Sequence, residues 1–131
     1  MNRANWIGAP HYFNLNMACV AVREAFGHHL YLAGSSLEKR DFRDVDLRLI
    51  LPDEKFATLF PGLHPERAGL DPLWTLMCSS ISLYLSQQSG LPVDFQIQQR
   101  TAANAEEKGR RHPIGIFIER SVEALREEPG R

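Results

Sequence analysis

LYLAGSSLEKRDFRDVDLRLIL, residues 30–51, changes character twice within 22 positions. It opens as a short apolar run and breaks at Gly34-Ser35-Ser36. It then crosses a charged connection and resumes at Asp44-Val45-Asp46 with an apolar end, Leu47 to Leu51. Short runs rich in branched and aromatic residues, bounded by Gly, Ser and Pro, predict strands. The first strand is expected over 29–33 and the second over 44–51, where Pro52-Asp53 ends it. Residues two apart on a strand share a face, roughly 6–7 Å apart along it. Asp44 and Asp46 therefore point the same way, and Val45 points into the core.

Downstream, PVDFQIQ (residues 92–98) alternates with period two. Val93, Phe95 and Ile97 face one side, and Asp94, Gln96 and Gln98 face the other. Between these strands lies a long helix signal. Asp71 is a cap and Pro72 takes the first helical position. Leu73, Leu76, Met77, Ser80, Ile81, Tyr84 and Leu85 follow at helical spacing, and Gly90 closes the run. That stripe is expected to pack against the sheet.

Upstream, residues 1–13 read as irregular, and Asn14 or Asn16 caps a helix running to about Phe26, ended by Gly27. Short helices are expected over 53–60 and 101–108, and residues 61–69 read as a loop. Arg110-Arg111-His112-Pro113 reads as a basic, solvated loop. Residues 114–118 read as an edge strand or docking segment, and 119–131 as a charged helix or tail. These elements predict an α/β (α+β) fold: a small mixed β-sheet of three to five strands with helices mainly on one face. One domain over 1–131 is expected, with its core at about 14–118.

Composition constrains the function classes. The 131 residues carry a formal net charge of −1, with 44% hydrophobic and 24% charged residues. Such a chain is not disordered by composition, and it exerts no global pull on nucleic acid or an anionic membrane. The most apolar stretch, Leu70–Leu85, is shorter than the roughly 20 residues that span a bilayer. The N-terminus lacks a signal-peptide pattern. Cys19 and Cys78 sit in apolar helical stretches and read as reduced core residues. A soluble cytoplasmic protein without a membrane segment is expected.

The chemistry concentrates in three features: the Gly-Ser turn, the Asp-x-Asp strand, and Asp94. If the Asp94 strand lies beside the second strand, three carboxylates converge. Two unscreened like charges about 4 Å apart repel by about 4 kcal/mol at an effective dielectric near 20. A hard cation, Mg²⁺ or Mn²⁺, offsets that repulsion, and a pair of ions suits in-line phosphoryl transfer. Gly34, Ser35 and Ser36 expose backbone N–H groups and hydroxyls to a polyphosphate. Lys39, Arg40 and Arg43 follow and can neutralise phosphate charge.

This ordered set resembles the nucleotidyltransferases of the DNA polymerase β superfamily, over roughly residues 16–98. The resemblance implies that Asp44 and Asp46 hold the metals and that Asp94 completes the site. It implies that Gly34 and Ser35 bind a nucleoside triphosphate, and that the activity is transfer of a nucleoside monophosphate to an acceptor hydroxyl on a protein, a small molecule or RNA. Minimal stand-alone members often act with a separate protein, which favours a protein partner or a homodimer here. The run after Gly34, Ser-Ser-Leu-Glu-Lys-Arg, replaces the small-and-basic run usual in those members, and no acceptor domain is evident. Those departures motivate a second reading, a non-catalytic binding module on the same fold. A third reading is a nucleic-acid accessory protein using Arg100, Arg110 and Arg111, which the near-neutral charge disfavours.

Overall fold

The computed structural model describes residues 5–106 and 109–115. The expected readings for 1–4, 107–108 and 116–131 lie outside them. Ten elements follow in order: α1 (Ala9–Phe26), β1 (Leu30–Ala33), α2 (Ser35–Glu38), β2 (Val45–Leu51), α3 (Asp53–Leu59), a 3₁₀ segment (Pro65–Leu70), α4 (Pro72–Ser89), β3 (Val93–Gln99), α5 (Arg100–Glu106) and β4 (His112–Ile114). The strands form one mixed sheet in the order β3-β2-β1-β4. β1 runs antiparallel to β2 and β4, while β2 and β3 are parallel. The α/β architecture expected from the sequence is present.

The parallel pair requires a crossover, because a tight turn cannot join parallel neighbours. α3, the 3₁₀ segment and α4 supply it. α4 starts as its sequence signals: the Asp71 carboxylate accepts the Trp74 backbone N–H at 2.8 Å, Pro72 lies in the first turn, and Gly90 ends it at φ 74°.

One face of the sheet is closed. Leu30, Leu32, Val45, Leu47, Leu49, Phe95 and Ile97 are almost fully buried. They form one cluster with Leu15, Cys19 and Val22 of α1 and with Cys78 and Leu85 of α4. Burying a side chain such as Phe95 contributes about 1.5–3 kcal/mol. Both cysteines are free, as expected, and burial pushes the thiols up to about 12 for Cys19 and about 11 for Cys78.

Three expectations are corrected. First, α1 begins at Ala9, not near Asn14, because Pro10 fits a first helical turn. Asn16 is no cap: it is buried in mid-helix and accepts the backbone N–H of Gly115. Second, residues 65–70 form a 3₁₀ segment rather than an open loop, with His64 Nδ1 accepting the Glu66 N–H.

Third, α4 buries only part of its expected stripe: Leu85 is in the core and Met77 and Ile81 pack against it. Leu73, Leu76 and Tyr84 are exposed. Instead Trp74, Cys78, Ser82 and Ser86, four apart in sequence, line the open edge of β3. Trp74 Nε1 donates to the Ile97 carbonyl at 2.8 Å, and Ile97 N–H points at Cys78 Sγ at 3.5 Å. Ser82 Oγ accepts from Phe95 N–H at 2.9 Å, and Ser86 Oγ from Val93 N–H at 3.0 Å. A helix advances about 6 Å in four residues and a strand about 6.7 Å in two, so the two ladders keep step. An edge strand needs partners for its outward N–H groups, and that need sets the rotation of α4.

Candidate functional site

The second face of the sheet is half-open. Alternation puts Asp46 and Arg48 on it from β2, and Asp94 and Gln96 from β3. Register makes Asp46 and Asp94 direct neighbours across the parallel pair, and pairs Asp46 with Ala33 on the other side. Neighbouring strands lie about 4.8 Å apart, so the two carboxylates stand side by side at one end of the sheet. The expected proximity of these two residues is present.

Gly34 lies immediately beyond Ala33. Its backbone sits at φ 72°, ψ −152°, a region essentially restricted to glycine. A Cβ built there would come within 2.1 Å of Asp46 Oδ2. Two independent constraints therefore demand glycine: backbone conformation and the carboxylate folded against its Cα. The turn that ends β1 and the acid that opens β2 form one packed unit.

The remaining sequence-chosen residues fall less uniformly. Asp44 is exposed and precedes β2, which starts at Val45. Val45 N–H bonds to the Pro92 carbonyl at 2.8 Å, tying the entries of β2 and β3 together. Ser35 begins the single turn of α2 and is half-exposed. Ser36 is fully buried, and its hydroxyl has no protein partner. Its backbone carbonyl accepts the Trp6 N–H at 2.7 Å. Arg40 and Arg43 are exposed in the connection to β2, with the Arg40 guanidinium 5.4 Å from the centre of the Trp6 ring. Among the described residues, no three His, Cys, Asp or Glu side chains gather closely enough to hold a metal by themselves.

Arg48 was not singled out from the sequence, yet it is central. One guanidinium nitrogen donates to the carbonyls of Leu47 and Asp94, at 3.0 and 2.9 Å. The other lies 3.9 Å from Asp46 Oδ1 and 3.6 Å from Asp94 Oδ2. Its side chain is 13% exposed, against 45% for Asp94. The guanidinium thus spans both strands and offsets the mutual repulsion of the two acids. The signal was available: Arg48 follows Asp46 by two residues and must share its face.

The basic run after α5 is exposed at Arg110, as expected, but it is tethered, and His112 and Pro113 belong to β4 rather than to a loop. Arg110 donates to the Leu37 carbonyl at 2.7 Å and pairs with Glu38 at 3.7 Å, holding the end of α2. His112 Nε2 lies 3.3 Å from the Tyr12 hydroxyl. Burial first, then the Arg110 charge, holds the His112 imidazole below its usual range.

A groove of about 440 Å³ leads from Asp94 along Gln96 to Trp74 and Ser82 of α4. A second cavity, about 270 Å³, shares Trp74 and Gln96 with it and is lined also by Gln98, Phe56 and Ala103. The carboxylate end thus borders an open groove. No family model, curated protein or solved structure matches the chain. No helix among the described residues is long and apolar enough to cross a membrane.

Proposed function

We propose that the chain is a nucleotidyltransferase of the minimal polymerase β type, moving a nucleoside monophosphate from a nucleoside triphosphate to an acceptor hydroxyl. One observation carries the reading: the Asp46 carboxylate packs on the Gly34 turn and stands level with Asp94. A phosphate-cradling turn and two paired acids share one sheet end.

The donors fit a hard divalent cation. Mg²⁺ commonly takes one or two carboxylates, with waters and substrate phosphates completing its shell. Asp46 and Asp94 would hold it; Asp44, exposed at the strand entry, would join only through a shift of that entry. When bound, it neutralises triphosphate charge and makes the attacking hydroxyl more acidic.

The protein's own groups do the rest. Gly34 and Ser35 receive the triphosphate at the turn, and Arg40 and Arg43 approach from the following connection. Arg48 reaches both carboxylates and, on substrate entry, turns its fork toward phosphate oxygens. The acceptor oxygen bonds to the α-phosphorus as the bond to the bridging oxygen breaks. The electron pair leaves with pyrophosphate, and the hydroxyl proton passes to Asp94.

Calorimetry with ATP, with and without Mn²⁺, tests this on wild type and Asp46→Asn. Metal-dependent binding lost in the variant is expected. Equal binding by a folded Asp46→Asn sinks the reading. A second reading, a non-catalytic binding module, draws on Arg48: an internal cation already serves both acids. On that reading ATP binds no better with Mn²⁺ than without.

A further inference from the structure

Two basic features of the sequence find no role at the carboxylate end: His28-His29 after α1, and Arg111. The fold brings them together. His28, His29, Tyr31, Arg100, Asn104 and Arg111 line a pocket of about 140 Å³, with Ile50 as its apolar wall. Among the described residues, no Asp or Glu lines it. Arg111 is oriented rather than loose: it donates to Asn104 Oδ1 and to the Ala103 carbonyl, both at 2.9 Å. Arg23 adds a further cation beside His29, donating to its Nδ1 at 3.3 Å. Burial first, then the charges of Arg23 and His28, holds the His29 imidazole below its usual range.

The placement is as telling as the charge. Tyr31 pairs with Arg48 across β1 and β2, so it lies on the half-open face. Ile50 is on that face as well, four residues beyond Asp46, or about 13 Å along the strand. Asp46 and Asp94 hold one end of the face and the cations gather at the other, where the Asp53 carboxylate, accepting from Thr101, lies outside the pocket lining but within the influence of Arg100.

We propose that this pocket binds a phosphate monoester and anchors the acceptor of the transfer reaction, its hydroxyl lying toward Asp94. The second half of that statement rests on the nucleotidyl-transfer reading; the first does not. A dianionic monoester matches two guanidinium groups, each able to offer paired N–H donors. The distance from Gly34 sets this anion apart from the triphosphate.

The test titrates inorganic phosphate into the full chain without metal or nucleotide, following amide shifts of Tyr31, Ile50 and Asn104 by NMR. Saturable shifts are expected in wild type and in Asp46→Asn alike. The Arg100→Gln/Arg111→Gln variant should bind at least about tenfold more weakly. Because Arg111 also braces α5, Arg100→Gln alone serves as the second variant, with a weaker loss. Glycerol 3-phosphate and adenosine 5′-monophosphate should compete equally, since only the phosphate is read. Absent shifts, shifts indifferent to Arg100→Gln, or competition by the nucleotide alone would overturn the proposal. Failure of ATP binding with phosphate binding intact would instead remove only the transfer reading.

Discussion

On β3, Val93, Phe95 and Ile97 turn toward α1 and α4 and are buried, while Asp94, Gln96 and Gln98 turn the other way and stay half-open. β2 repeats the contrast, with Val45, Leu47 and Leu49 on one side and Asp46 and Arg48 on the other. The same backbone hydrogen bonds fix both faces. The closed face supplies stability through area removed from water. The open face gathers like charges at a cost, offset here by Arg48, and such arrangements mark sites of function more often than of stability. The comparison predicts that substitutions on one face change folding and those on the other change binding.

Phe95→Ala should produce the largest loss, about 3–5 kcal/mol of unfolding free energy, because it opens a cavity in the closed face. Urea unfolding measures it; a loss under about 1 kcal/mol would mean that this face is not the stabilising one. Gly34→Ala should follow at about 3 kcal/mol, combining a conformation costly for alanine with displacement of the Asp46 carboxylate. It should also abolish metal-dependent ATP binding in whatever fraction still folds, which calorimetry on the folded protein would read.

Ser82→Ala with Ser86→Ala removes two acceptors from the β3 edge and should cost about 2 kcal/mol in all. Amide exchange at Val93 and Phe95 should quicken while exchange in β1 holds; uniform quickening would contradict the edge-capping role. Arg48→Gln should cost about 1–2 kcal/mol: its ion pairs are partly exposed and add little, but its hydrogen bonds to the Leu47 and Asp94 carbonyls are weakened. Its sharper signature is linkage: Mg²⁺ should raise the melting temperature of Arg48→Gln more than that of wild type, because the acids then lack their internal cation. An equal Mg²⁺ effect in both proteins would break the link between Arg48 and the carboxylates.

Much of the architecture was legible in the sequence because period-two alternation and helix caps are local signals. VDFQIQ assigns its two faces residue by residue, and Asp71-Pro72 starts α4 where the structure starts it. The rotation of α4 was not legible. Its apolar stripe through Leu73 and Leu76 pointed one way, but the unpaired N–H groups of a strand distant in sequence pulled Trp74, Cys78, Ser82 and Ser86 inward. The site divided similarly. Asp46, Asp94 and Gly34 were readable from spacing, and the fold sets them together. The burial of Ser36 and the exposure of Asp44 depend on register and chain entry, which no local pattern encodes; the spacing from Asp46 puts Arg48 on the acid face, but its reach to Asp94 depends on the register of β2 and β3. The anchoring of α2 by Arg110 joins residues 73 apart, again beyond any local signal.

The central claim is that Gly34, Asp46 and Asp94 form one site for a metal-bound nucleoside triphosphate. Paramagnetic broadening by Mn²⁺ in the presence of ATP tests it most directly, read amide by amide in the full chain. The account predicts broadening centred on Gly34, Ser35, Asp46 and Asp94, and its loss in Asp46→Asn with the rest of the spectrum preserved. Broadening centred elsewhere, or unchanged in Asp46→Asn, would contradict it.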